Sequence, residues 1–251
     1  MGCQFLKKFS LRNLITKSNI FKSLYKYLNM QIERDIFIDE RIKKIHKGAI
    51  LMDAGCGSQR YRPLCSHLEY RGQDFGAYKV DEKAVIGSSG VGGVTGYNYG
   101  DLYYKGDIWQ ISEEDGVLDV VLCTEVFEHI PYPIETIKEF SRLLKVGGEL
   151  ILTAPSNCLR HMDPYFYYSG FSDRWYEEIL PRFGFKIEII EPVGDYYRWM
   201  AVELARTAEA HSFVSKILLL PAFAYFYFSN KTEASINTLC GGYHVVARKV
   251  S

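Results

Sequence analysis

Ala49-Ile50-Leu51-Met52-Asp53-Ala54-Gly55-Cys56-Gly57-Ser58-Gln59-Arg60 carries more structural information than any other part of the chain. A short apolar run, read as a buried strand, enters a glycine turn with an acid at the strand's end. Glycine lets the backbone take positive φ and approach a ligand closely. Open α/β sheets bind their ligands at the carboxyl ends of their strands. The stretch therefore places a nucleotide-like ligand at this turn. A dinucleotide fingerprint requires three glycines, G-x-G-x-x-G, the second close to the pyrophosphate. Here Arg60 holds the third position, and Asp53 would repel a diphosphate.

A carboxylate at that point suits a ligand with an ammonium group and hydroxyl donors and no phosphate. S-adenosylmethionine (SAM) meets that description. The downstream sequence repeats the pattern. Tyr70-Arg71-Gly72-Gln73-Asp74 reads as a second short strand ending in an acid, about twenty residues past the glycine turn, where a ribose-binding carboxylate is expected. A carboxylate there can accept from both ribose hydroxyls. Gly106-Asp107-Ile108 offers an acceptor for the adenine amino group and an apolar wall for the ring. Leu118 to Thr124 reads as a buried central strand. A helix is expected from Glu135 to Leu144, stopping at Lys145-Val146-Gly147-Gly148, and the next strand from Glu149 to Pro155.

On these stretches, with Phe183-Gly184-Phe185 and the closing run Gly242 to Lys249, the chain resembles a class I SAM-dependent methyltransferase of the type 11 small-molecule group. The resemblance covers roughly residues 35–250. It implies an α/β fold: a seven-stranded, mostly parallel Rossmann-like sheet with helices on both faces and an antiparallel last strand. It also implies cofactor contacts at Asp53, Gly55, Cys56, Gly57, Asp74, Phe75, Asp107, Ile108 and Thr124. Enzymes encoded with bacterial surface-polysaccharide genes share the late Pro-aromatic stretch, an analogy that says little about substrate.

The chain has 251 residues, enough for one large α/β domain. Its formal net charge is zero, which argues against a general nucleic-acid binder. The balance hides an asymmetry. Residues 1–32 hold Lys7, Lys8, Arg12, Lys17, Lys22 and Lys26 and no acid, leaving 24 basic residues against 30 acidic ones in the rest. Apolar residues (Phe5, Phe9, Leu14, Phe21, Leu24, Tyr25, Leu28) alternate with these lysines at helical spacing. Such a segment can lie on an anionic membrane or pack across the sheet. No secretory signal is evident, and Leu6 stands where a myristoylation motif wants Ser or Thr. The six cysteines have neither zinc nor disulfide spacing, which points to a reducing cytoplasm, with the inner face of the membrane as the alternative location.

Residues 33–251 form the expected methyltransferase domain, interrupted twice. Residues 75–100 make a glycine-dense loop, read as a flexible loop or as a lid that orders on binding. Residues 205–235 make an apolar helical insertion. Its core, Phe213 to Phe228, is too short to span a bilayer, and burial within the protein is the favoured reading. Residues 158–182 follow a cofactor-side strand end and hold Ser172 as the cap of a helix from Asp173 to Leu180. They are the candidate for substrate recognition.

Methyl transfer to an alcohol needs its proton removed. His161 and His129 are the candidate bases near strand ends. Glu125-Val126-Phe127-Glu128-His129 would share one helix face at i, i+3 and i+4 and could hold a hard divalent ion. Some quinone-pathway and small-RNA methyltransferases resemble this arrangement and use a metal. Packing and capping is the preferred reading, so no metal site is assigned. The expected activity is methyl transfer to a small-molecule or lipid-linked acceptor, a hydroxyl of a sugar or similar metabolite. The alternatives are a SAM-binding partner subunit without turnover, a metal-dependent RNA methyltransferase, and a nicotinamide dehydrogenase.

Overall fold

The structure is a computed structural model that describes residues 19–78 and 98–251. Residues 1–18, and most of the loop expected over 75–100, lie outside the described residues. Two helices lead in, α1 (Asn19–Leu28) and α2 (Gln31–Ile42). Then come β1 (Ile50–Ala54), β2 (Glu69–Asp74), β3 (Tyr104–Lys105) and β4 (Leu118–Thr124). Helix α3 (Pro133–Leu143) leads into β5 (Leu144–Pro155), and α4 (Asp173–Arg182) into β6 (Phe185–Val193). Helices α5 (Tyr196–Ala210), α6 (Phe213–Phe228) and α7 (Glu233–Thr238) precede the last strand, β7 (Gly242–Lys249).

Among the described residues the strands form one seven-stranded sheet in the order β3-β2-β1-β4-β5-β7-β6. The pairs from β3 to β5 are parallel, and β7 runs antiparallel to both of its neighbours. This is the expected Rossmann-like architecture. The central strands are apolar on both faces because helices cover both. Met52, Ala54, Val121 and Cys123 meet α3 and α4 residues such as Phe140 and Tyr176 on one side. Leu51, Val120 and Leu122 meet Ile38 and Ile42 of α2 on the other. Alternate residues of a strand point to opposite faces, so each strand feeds two cores.

Several local expectations hold. Ser172 caps α4, its side chain accepting from the Trp175 amide. Others need correction. Strand β5 begins at Leu144 rather than Glu149, because Leu144 already pairs with Leu118 before the register shifts. Glu125 to His129 is not an α-helix. Glu125 takes a left-handed φ of 51°, and only Phe127–His129 coil, as a short 3-10 turn. The i, i+3, i+4 face assumed for these residues does not exist. The apolar helix α6 has no buried residue, against the expectation of burial, because its main packing partner is α5 alone.

Candidate active site

The glycine turn follows β1 directly. Gly55 has φ 72°, and a Cβ there would lie 2.5 Å from Val126 Cγ2. Only glycine fits a backbone that must both turn left-handed and pass this closely under the β4 loop. The Gly55 amide donates to the Gln73 side-chain oxygen, and the Gly57 amide to Asp74 Oδ2 at 2.9 Å. Asp74 Oδ1 accepts from the Gly76 amide at 3.0 Å. The Phe75 amide is a third donor, so the carboxylate's four lone pairs leave one for a ligand.

A cavity of about 870 Å³, mouth included, opens above these strand ends. Gly55, Gly57, Asp74, Phe75, Asp107 and Ile108 line it together, as expected of a common cofactor site. Asp53, Cys56 and Thr124 do not line it. Asp53 is 2% exposed, and its Oδ2 accepts from the Tyr70 hydroxyl at 2.7 Å. Burial pushes its carboxyl up to about 7 despite the tyrosine, and Asp74 adds to the effect. The first acid of the motif lies beneath the floor of the cavity rather than in its wall.

The walls include residues that the motif reading missed: Gln73, Trp109, Glu125 and Tyr165 among them. The Phe75 ring meets Tyr78 and Tyr165 edge-on, with centroids 6.4 and 5.3 Å away. The signal for such a wall was present only as the chain's wealth of tyrosine, 19 residues.

A second cavity, about 1020 Å³ with its mouth, adjoins the first. Both are lined by Glu125. Its walls come from the start of α2 (Met30, Gln31, Arg34), from the segment after β5 (Asn157 to His161), and from α5 (Trp199, Val202, Glu203, Arg206). Of residues 158–182, the candidate substrate segment, Cys158 to His161 line this space, and Met162, Tyr165 and Tyr167 line the first cavity.

His129 lines the first cavity and His161 the second, with ring centroids 4.7 Å apart. His129 Nδ1 lies 2.6 Å from the Tyr165 carbonyl, and His161 Nδ1 2.8 Å from the Leu159 carbonyl. A carbonyl can only accept, so each Nδ1 carries the proton and each Nε2 presents a lone pair. Burial holds both imidazoles neutral, driving His129 down to about 4 and His161 below its usual value. His129 Nε2 faces Glu128 Oε1 at 3.5 Å, and Glu128 Oε2 is buried with no hydrogen-bond partner. Glu128, His129 and His161 each bring one ligand atom to within 4.8 Å of the others. The residue that completes this cluster is His161, not Glu125. Burial, reinforced by Glu125, raises the Glu128 carboxyl well above the usual range.

Fold and cavity together resemble those of class I SAM-dependent methyltransferases. Residues 52–152 match the family described as "Methyltransferase domain". A ubiquinone biosynthesis O-methyltransferase from Dechloromonas aromatica is 29% identical over 53% of this chain and 53% of its own length. The chain thus spans about half the length of that curated relative. Among solved structures, a geranyl diphosphate methyltransferase in complex with SAM aligns over 87% of this chain and 85% of its own, with TM-score 0.54 and 13% identity. The [4+2]-cyclase SpnF aligns over 84% and 80%, with TM-score 0.52 and 16% identity. Such distant likeness shows the fold alone, and the cyclase illustrates that one fold serves different reactions.

Proposed function

We propose that this chain transfers the methyl group of SAM to a hydroxyl oxygen of a small-molecule or lipid-linked acceptor, such as a sugar or similar metabolite, held in the second cavity. The observation that carries this reading is the pair of adjoining cavities sharing Glu125, with two neutral imidazoles where they meet. A relative named for O-methylation supports oxygen as the acceptor atom.

SAM supplies a methyl carbon already activated by its sulfonium. Asp74, Asp107 and Ile108 hold the nucleoside in the first cavity. The aromatic wall of Phe75, Tyr78 and Tyr165 keeps water from the reacting carbon. Arg34, Trp199 and Arg206 grip the acceptor in the second cavity. The acceptor oxygen forms the new bond to carbon as the carbon–sulfur bond breaks, and S-adenosylhomocysteine departs as a neutral thioether. The hydroxyl proton passes to His161 Nε2, whose Nδ1–H is anchored on the Leu159 carbonyl.

A second reading has its own observation. Three lone-pair-bearing atoms face one another at Glu128, His129 and His161, one beside an oxygen with no partner, and a divalent cation fits that donor set. There the cluster would orient the acceptor hydroxyl and ease its deprotonation. Methyl-donor consumption with a panel of hydroxylated acceptors tests both readings. His161→Ala should lower turnover about 10²–10⁴-fold while SAM affinity holds. Activity that survives thorough chelation leaves the imidazole as the base, whereas heat on titrating Mg²⁺ or Mn²⁺ into the SAM-free protein, lost in Glu128→Gln, establishes the cation. Full turnover by His161→Ala would overturn the role of this residue in either reading.

A further inference from the structure

Helix α6 is apolar around its whole circumference, and such a helix is normally buried. Here Phe213, Val214, Ile217, Leu218, Leu220, Tyr225 and Phe228 are all more than half exposed. Its only charge is Lys216. At 16 residues it is about 24 Å long, less than a hydrocarbon core. No described helix is long and apolar enough to cross a membrane. Five of its six aromatic residues fall in its second half, Phe223 and Tyr225 to Phe228. Tyrosine and other amphipathic rings favour the boundary between headgroups and acyl chains.

A basic element lies beside it. Lys22 and Lys26 of α1 are exposed, and α1 carries no acid in its first turn. The Tyr27 ring sits edge-on to Tyr227 of α6, with centroids 4.7 Å apart. Arg198 of α5 locks this junction, donating to the Tyr27 carbonyl at 2.7 Å and pairing with Glu33 at 2.6 Å. The two helices therefore adjoin, with Lys26 at the rim of a groove that Glu33, Glu40 and Glu191 also line. The sequence before α1 adds Lys7, Lys8, Arg12 and Lys17 without an acid. The basic side chains of α1 and of the sequence before it are complementary to anionic headgroups, which a second copy of the apolar α6 is not.

We infer that α6, with the basic α1 beside it, seats this protein on the surface of an anionic lipid bilayer. The docking stands apart from the methyl-transfer reading, since none of its residues is assigned to the chemistry. It has a consequence for the second cavity, because α5 and the start of α2, which wall that cavity, carry the two docking elements directly.

Flotation of the full-length protein with vesicles tests this. The protein should rise with phosphatidylcholine–phosphatidylglycerol vesicles and stay behind with phosphatidylcholine alone or in high salt. Leu218→Glu with Phe228→Glu should abolish flotation, and Lys22→Glu with Lys26→Glu should weaken it about tenfold or more. Unchanged SAM affinity by calorimetry shows that the variants are folded. No flotation of the folded wild type on anionic vesicles overturns the inference. So does a dimer that Leu218→Glu dissociates without any vesicle binding, since the occupant of α6 is then a second copy. Equal binding to neutral vesicles removes the assigned role of the lysines and overturns the anionic surface as the partner.

Discussion

Asp53 and Asp74 end neighbouring strands, and the motif reading assigns both to the cofactor. The structure separates them. Asp74 stands in the cavity wall with a lone pair to spare, while Asp53 is sealed beneath the floor against Tyr70. Asp74→Ala should weaken SAM binding by about 1–3 kcal/mol, read by calorimetry, because charged hydrogen bonds are lost. Asp53→Asn should change it far less. Its signature is in stability. An acid whose folded pKa exceeds its unfolded value costs stability as pH rises between the two, here from 3.8 to about 7. Asn keeps an acceptor for Tyr70 and carries no charge. The variant should therefore match the wild type near pH 4 and exceed it above pH 7, by on the order of 4 kcal/mol in denaturant unfolding. An equal gap at both pH values would mean that Asp53 is not held neutral. Residue types at strand ends were thus legible in the sequence, but the direction each acid faces was not, since that depends on which neighbour, Tyr70 or the Gly57 amide, claims it.

At the level of elements, the alternation and turn signals carried the sheet well. The β1 strand, its glycine turn and the Ser172 cap all fall where local chemistry puts them. The turn is also where a single atom matters most. Gly55→Ala must fit a Cβ against Val126 at a φ that L-residues avoid, so it should cost about 2 kcal/mol or more and depress SAM affinity with it. Native melting and affinity in that variant would show that the turn relaxes freely. The Glu125 to His129 stretch read wrongly because helix spacing was applied to a left-handed residue followed by a 3-10 turn. Nothing local announces a non-glycine at positive φ. Nor could spacing bring His161 to His129, since the chain between them crosses α3, β5 and the turn after Pro155.

For the whole molecule, a binding equilibrium reports on fold and site together. A ligand that binds only the folded state adds about 2.7 kcal/mol at one hundred times its Kd. For a chain of this size that raises the melting temperature by about 5–10 °C. SAM should produce that rise and NAD none, since the Gly55 and Gly57 amides of the turn already donate to the Gln73 and Asp74 side chains. A matching rise with NAD would overturn the cofactor assignment. Composition alone missed the molecule's main asymmetry, because a formal charge of zero conceals a basic leading segment, whose described helix α1 adjoins the exposed apolar helix α6. One feature of the topology reaches further. Val193 at the end of β6 pairs directly with Gly242 at the start of β7, so residues 194–241 leave and re-enter the sheet at a single point. A tight hairpin could join those two strands with the ladder intact. The helices between them are in effect a detachable cassette: exchanging residues 194–241 would rebuild one wall of the second cavity while leaving the ladder of β1, β2 and β4 untouched.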